Sequence, residues 1–165
     1  MAGTIALIGA PSDVGAGARG ASMGPEALRV AQLQPMLEAQ GLEAVDRGNL
    51  AGPPNPWQPP VNGYRHLPEV IEWNRLVHEA VLEELAAGRL PMLLGGDHSL
   101  AIGSISAAAR HCRDTGRKLR VLWFDAHADF NTHVLTPSGN VHGMPAACLC
   151  GHGPSDLVSI GGQVP

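Results

Sequence analysis

The stretch VLWFDAHADFNT, residues 121–132, joins an apolar run to a cluster of ionisable side chains. Val121, Leu122, Trp123 and Phe124 read as a short buried strand. Asp125, His127 and Asp129 follow at every second position, and extended backbone puts alternate side chains on one face. Asp and Asn after a strand are also ordinary loop and cap residues, and a histidine nearby can be incidental. Two carboxylates and an imidazole brought to one point must nevertheless repel or be desolvated together, at on the order of several kcal/mol per uncompensated buried charge. A bound cation removes that cost. Oxygen-rich donors with one or two imidazoles suit manganese, iron or magnesium better than a thiolate-seeking metal, and spacing does not choose among the three.

Outward from this stretch, short apolar runs alternate with helical patterns. Thr4 to Ile8 reads as a first strand. Pro25 opens a helix in PEALRVAQLQPMLEAQG, which Pro35 kinks or splits before Gly41 ends it. Leu42 to Val45 makes a second strand, and the proline-rich AGPPNPWQPPVNG reads as a surface excursion. From Pro68 to Ala87, Val70, Trp73, Val77, Val81 and Leu85 follow a helical period, with Gly88 where a C-terminal cap belongs. PMLLGG is a third strand, Ser99 caps a helix from Leu100 to about Arg113, and Leu119 to Asp125 is a fourth strand. Alternation of this kind without hairpin signals predicts an α/β fold with a mainly parallel sheet covered by helices on both faces. Ligands in such folds gather at the carboxyl ends of strands. The third strand runs into GGDHS, where His98 stands at the strand's end and joins Asp125, His127 and Asp129 as a fourth donor. Asp97 suits a turn or supporting acceptor better than a ligand.

Composition bounds the function. The chain has 165 residues, 44% of them hydrophobic, and no run approaches a membrane span. Its opening residues lack a basic n-region and a cleavage pattern, which predicts a cytoplasmic protein. A formal net charge of -4 supplies no basic field for nucleic acid. Three cysteines, Cys112, Cys148 and Cys150, make no disulfide framework in a non-secreted chain. GAGARG, Gly15 to Gly20, formally fits the dinucleotide fingerprint, with Asp46 near the expected acidic position, and a nicotinamide-dependent oxidoreductase is the competing class. Those glycines begin six residues beyond the first strand and stop before the Pro25 helix, so they do not form the required strand-to-helix turn. CLCGH, with Cys148, Cys150 and His152, suggests zinc only until the segment is read as a helix start, where positions two apart diverge.

Taken together, GGDHS, DAHADFNT and SGNVHGMP, in this order and at these separations, resemble the ureohydrolase family and within it the arginases. The opening IGAPSDVGAGARGASMGPEALR looks like the N-terminal strand, loop and helix of the same family, so the resemblance covers nearly the whole chain. It implies a three-layer α-β-α sandwich and a cofactor of two Mn2+ per complete subunit. His98, Asp125 and Asp129 would hold one ion, Asp125 and His127 would contribute to the other, and Asp125 would bridge. The implied reaction is hydrolysis of L-arginine to L-ornithine and urea by a metal-bridging hydroxide, with Asp129 and His142 as catalytic residues and His142 shuttling a proton to the leaving amine. Asn131, Ser138 and Asn140 match residues that hold the α-carboxylate and α-amino group of the substrate, which favours arginine over the substrates of agmatinase, guanidinobutyrase or formimidoylglutamase. Homo-oligomers, trimers or hexamers, are also implied.

The family carries, further along, a second Asp-x-Asp pair and acidic residues that grip the guanidinium, and none precedes Pro165. Residues 1–165 are therefore expected to be the N-terminal part of a single ureohydrolase domain, with an inactive interaction protein derived from that family as the alternative. In the family's sheet order later strands lie between the third and fourth strands of this chain, which would leave His98 and the Asp125 cluster facing each other across a gap.

Overall fold

The computed structural model describes residues 3–162. Three parallel strands form its sheet, β1 (Ile5–Ala10), β2 (Ala44–Asn49) and β3 (Leu90–Gly95), in the order β2-β1-β3. The central β1 is buried at every position, as its unbroken apolar run requires. Period-two alternation divides its side chains between two faces. Ile5 and Leu7 meet Leu94, Leu33 and Leu37 on one side; Ile8 and Ala10 meet Val70, Trp73, Val77 and Ile102 on the other.

Helices α1 (Gly24–Val30) and α2 (Leu33–Ala39) supply the first face, α3 (Leu67–Ala86) and α4 (Ala101–Asp114) the second, so the three-layer α-β-α arrangement is present. The break between α1 and α2 falls at Gln32, whose φ of 61° ends one helix and starts the next. Pro35 then sits in the first turn of α2, where its missing N–H leaves no bond unmade. The short helices α5 (Pro145–Leu149) and α6 (Ser155–Val158) add Cys148 and Leu157 to the larger core. Among the described residues no helix is long and apolar enough to cross a membrane.

Three sequence expectations need correction. The second strand lies at Ala44–Asn49 rather than Leu42 to Val45, because residues 44–46 are those in register with Ile5, Ala6 and Leu7. The cap before α4 is Asp97, not Ser99: a 3-10 turn, His98–Leu100, precedes the helix, and the Asp97 carboxylate accepts the Ser99 N–H. The fourth strand is absent. Residues 117–124 run without a ladder partner, with Leu122 71% and Phe124 91% exposed. A strand exists only where a neighbour takes its backbone hydrogen bonds, and no described segment lies alongside to do so.

Candidate metal centre

His98 is delivered by the end of β3 and the turn that follows it. The buried Asp97 carboxylate accepts from Ser99 N (2.9 Å) and from Gly15 N (2.9 Å), which ties the loop after β1 to the loop after β3. Burial pushes the Asp97 carboxyl above its ordinary pKa. Gly15 is required there, since a Cβ would stand 2.6 Å from the Asp97 carboxylate. Gly17 of the same GAGARG loop passes beneath the Asn140 amide, where a Cβ would come within 3.2 Å. These glycines thus serve close packing of loops. Asp46, the acid a dinucleotide would need, is held by both Nε (2.6 Å) and Nη2 (2.9 Å) of Arg29.

Asp125 and Asp129 reach His98 although the segment before them is unpaired. His98 Nδ1 stands 2.6 Å from Asp129 Oδ2 and 3.1 Å from Asp125 Oδ2, and its ring stacks on Trp123 at 4.7 Å. The expected gap between His98 and the carboxylates is not found. Asp129 adopts φ 46°, the left-handed region that Asp tolerates, and its carbonyl accepts Ala146 N (3.0 Å). Asn131 N donates to the Gly143 carbonyl (3.0 Å), so residues 129–131 are pinned to the start of α5. The backbone N–H of His127 donates to Asp125 (2.8 Å) and holds that carboxyl below its ordinary pKa, with His98 and His127 adding to the effect.

One ligand atom each from His98, Asp125 and Asp129 falls within 4.8 Å of the others, the one such group among the described residues. This donor set fits a hard divalent cation. His98 Nδ1 faces one oxygen of each carboxylate at ion-pair distance, and with Nδ1 free of a proton the same three atoms are inward-facing donors to a metal. His127 lies at the rim, 80% exposed, with Nδ1 3.4 Å from Asp125. A cavity of about 590 Å³ opens over these residues and is also lined by Asn131 and His142. His142 is fixed through its backbone N–H, which donates to the Gly15 carbonyl (3.1 Å).

Ser138 and Asn140 do not line that cavity. Ser138 Oγ accepts Asn140 N (3.3 Å), and the Asn140 side-chain oxygen accepts Arg65 Nε (2.9 Å). Arg65 was missed in the sequence, as was Tyr64, whose hydroxyl shares a hydrogen bond with His133 Nδ1 (2.8 Å). A signal was available in Asn62-Gly63, a strong pair for a tight hairpin turn. Cys148 is buried and Cys150 exposed, so CLCGH presents no convergent thiol pair.

A family model described as the arginase family matches residues 3–163. The arginase of Brevibacillus brevis is 40% identical over 161 residues, 98% of this chain and 53% of that protein. The native structure of the Bacillus caldovelox arginase superposes with a TM-score of 0.89 at 38% identity, over 99% of this chain and 54% of that one. The Entamoeba histolytica arginase, solved in complex with L-ornithine, gives a TM-score of 0.86 at 32% identity over 99% of this chain and 54% of its own. The chain spans about half the length of the curated relatives it matches.

Proposed function

The chain belongs to the arginase family, and on that premise we propose that it is the N-terminal part of a manganese-dependent hydrolase that converts L-arginine to L-ornithine and urea. The observation that carries this reading is the convergence of His98, Asp125 and Asp129 in a cavity shared with His127, Asn131 and His142. His98, Asp125 and Asp129 would hold one manganese, and Asp125 and His127 would contribute to a second. The remaining donors belong to the part of the family's length that this chain does not span. When bound, the ions supply the Lewis acidity that makes water a nucleophile at ordinary pH.

The chain's own side chains do the rest. Guanidinium resists attack because its charge is delocalised, so holding the substrate against the nucleophile matters as much as activation. Asn131, with Ser138 and Asn140 on the following loop, offers neutral donors and acceptors to the α-carboxylate and α-amino group. His142 gives a proton from its ring nitrogen to the departing amine. The protein is placed in the cytoplasm, as a trimer or hexamer.

The test uses the full-length protein. Metal analysis and anomalous scattering at the manganese edge should find metal on His98, Asp125, His127 and Asp129; density held by other residues would defeat the assignment. Urea release should favour arginine over agmatine, guanidinobutyrate and formimidoylglutamate. Asn131→Ala or Ser138→Ala should reduce arginine hydrolysis far more than hydrolysis of a guanidine without the α-carboxylate, because a site that hydrogen-bonds that group discriminates against a substrate lacking it. Equal losses would remove the role.

A further inference from the structure

The proline-rich excursion ends in a tight hairpin. Val61 and Tyr64 exchange backbone hydrogen bonds (2.8 and 3.0 Å), with Asn62 at φ 51° and Gly63 at φ 78° between them. This hairpin lies against the loop of residues 131–140 with almost no clearance. A Cβ on Gly63 would stand 2.4 Å from the His133 carbonyl, and one on Gly139 would stand 2.6 Å from Pro60. Two adjacent hairpin residues grip the loop. Tyr64 stacks on His133 at 4.8 Å and shares the hydrogen bond already described. Arg65 N donates to the Gly139 carbonyl (2.8 Å), Nε to Asn140 Oδ1 (2.9 Å), Nη1 to the Gln58 carbonyl (2.9 Å), and Nη2 reaches the Ser138 carbonyl at the long limit of 3.5 Å.

The chemistry of the pair settles its polarity. A guanidinium has donors and no acceptor, so it takes the oxygen of the Asn140 amide and leaves the NH2 end as a donor. We infer that Arg65 is a positioning residue for substrate selectivity, fixing the Asn140 amide in the orientation that donates to the α-carboxylate and anchoring the Ser138–Asn140 segment. This rests on the arginine-hydrolase reading above. Gly17 completes the device, because its missing side chain leaves room for the amide plane.

The experiment compares Arg65→Ala and Arg65→Lys with the parent full-length protein in manganese. Arg65→Ala should raise KM for arginine roughly tenfold, the usual effect of losing a charge-assisted hydrogen bond, with kcat little changed. It should cost far less with a guanidine lacking the α-carboxylate, and Arg65→Lys, which keeps a donor, should recover part of the loss. An unchanged KM, or equal losses on both substrates, would overturn the inference. A parent that does not cut arginine would defeat the functional reading instead, and amide exchange over residues 136–143 would then decide. Faster exchange in Arg65→Ala upholds the positioning role; identical exchange overturns it.

Discussion

Cys148 and Cys150 stand two positions apart on α5 and its end, in opposite environments. Cys148 is buried and its thiol is pushed up to about 11, so almost none is thiolate at neutral pH; Cys150 is exposed. Cys150 should therefore react with a maleimide in the native protein, while Cys148 waits for unfolding. Mass spectrometry after timed quenching reads this, and early labelling of Cys148 would contradict its burial. Glu84 carries a second prediction. It is 3% exposed and paired with Arg89 and with Arg47 Nε at 2.8 Å. Arg89 foremost, with Arg47, holds its carboxyl below the ordinary range despite burial. A depressed folded pKa means stability that is present above the unfolded value and lost as pH falls through the folded one. Glu84→Gln should thus destabilise the protein at neutral pH by about 1–2 kcal/mol, discounted because both arginines remain partly in water. The gap between variant and parent should close below the ordinary glutamate pKa, and urea titrations at several pH values would show it. At this scale the candidate ligands Asp125, His127 and Asp129 were legible because their spacing is local, and His98 because it stands at a strand's end. Arg65 was not, since its partner Asn140 lies 75 residues away and nothing local announces the contact.

The elements were legible where periodicity matched burial and illegible where a partner decides. The long apolar stripe of α3 could be read directly, but not the way α3 receives α4. Asn74, fully buried on α3, accepts from Gly103 N at 2.7 Å and donates to the Val70 carbonyl at 2.9 Å. Gly103 is needed there because a Cβ would stand 2.3 Å from the Asn74 carbonyl. Asn74→Ala should cost about 1–3 kcal/mol, since it strands a buried N–H at the start of α4. Gly103→Ala should cost a similar amount, about 1–3 kcal/mol, by forcing the helices apart. Both are read as a lower denaturation midpoint with an unchanged urea slope; a neutral Gly103→Ala would mean that the helices part freely. The fourth strand failed for a related reason. Apolar composition marks residues 119–124 as strand-competent, but a strand is a property of two segments, and sequence inspection credits it to one. The candidate ligands after it still converge, because the backbone bonds of residues 129–131 to the start of α5, not a ladder, hold them.

Across the whole molecule, four apolar side chains of the unpaired segment are exposed, Trp123 alone turning in to stack on His98: Leu119 is 41%, Val121 46%, Leu122 71% and Phe124 91% exposed, directly before the first candidate ligand. An apolar run with free backbone groups invites pairing with another chain. The candidate centre beside it draws three converging ligand atoms from the described residues, with His127 at the rim. On the proposed two-ion reading the centre lacks donors in the same place where the apolar segment is uncovered, so a polypeptide that supplies the one should cover the other. We therefore expect residues 1–165 by themselves to release no urea from arginine in saturating manganese, to bind a hydrophobic dye, and to self-associate with rising concentration. Mixing with a separately produced polypeptide matching the rest of the relatives' length should suppress dye binding and bring urea release together. Leu122→Lys with Phe124→Lys separates packing from chemistry: it should keep the isolated chain dispersed yet abolish recovery on mixing, with all the ligands intact. Robust turnover by residues 1–165 alone would show that the donors present suffice. Recovery undiminished in the double lysine variant would show that the exposed segment is not where the second polypeptide binds.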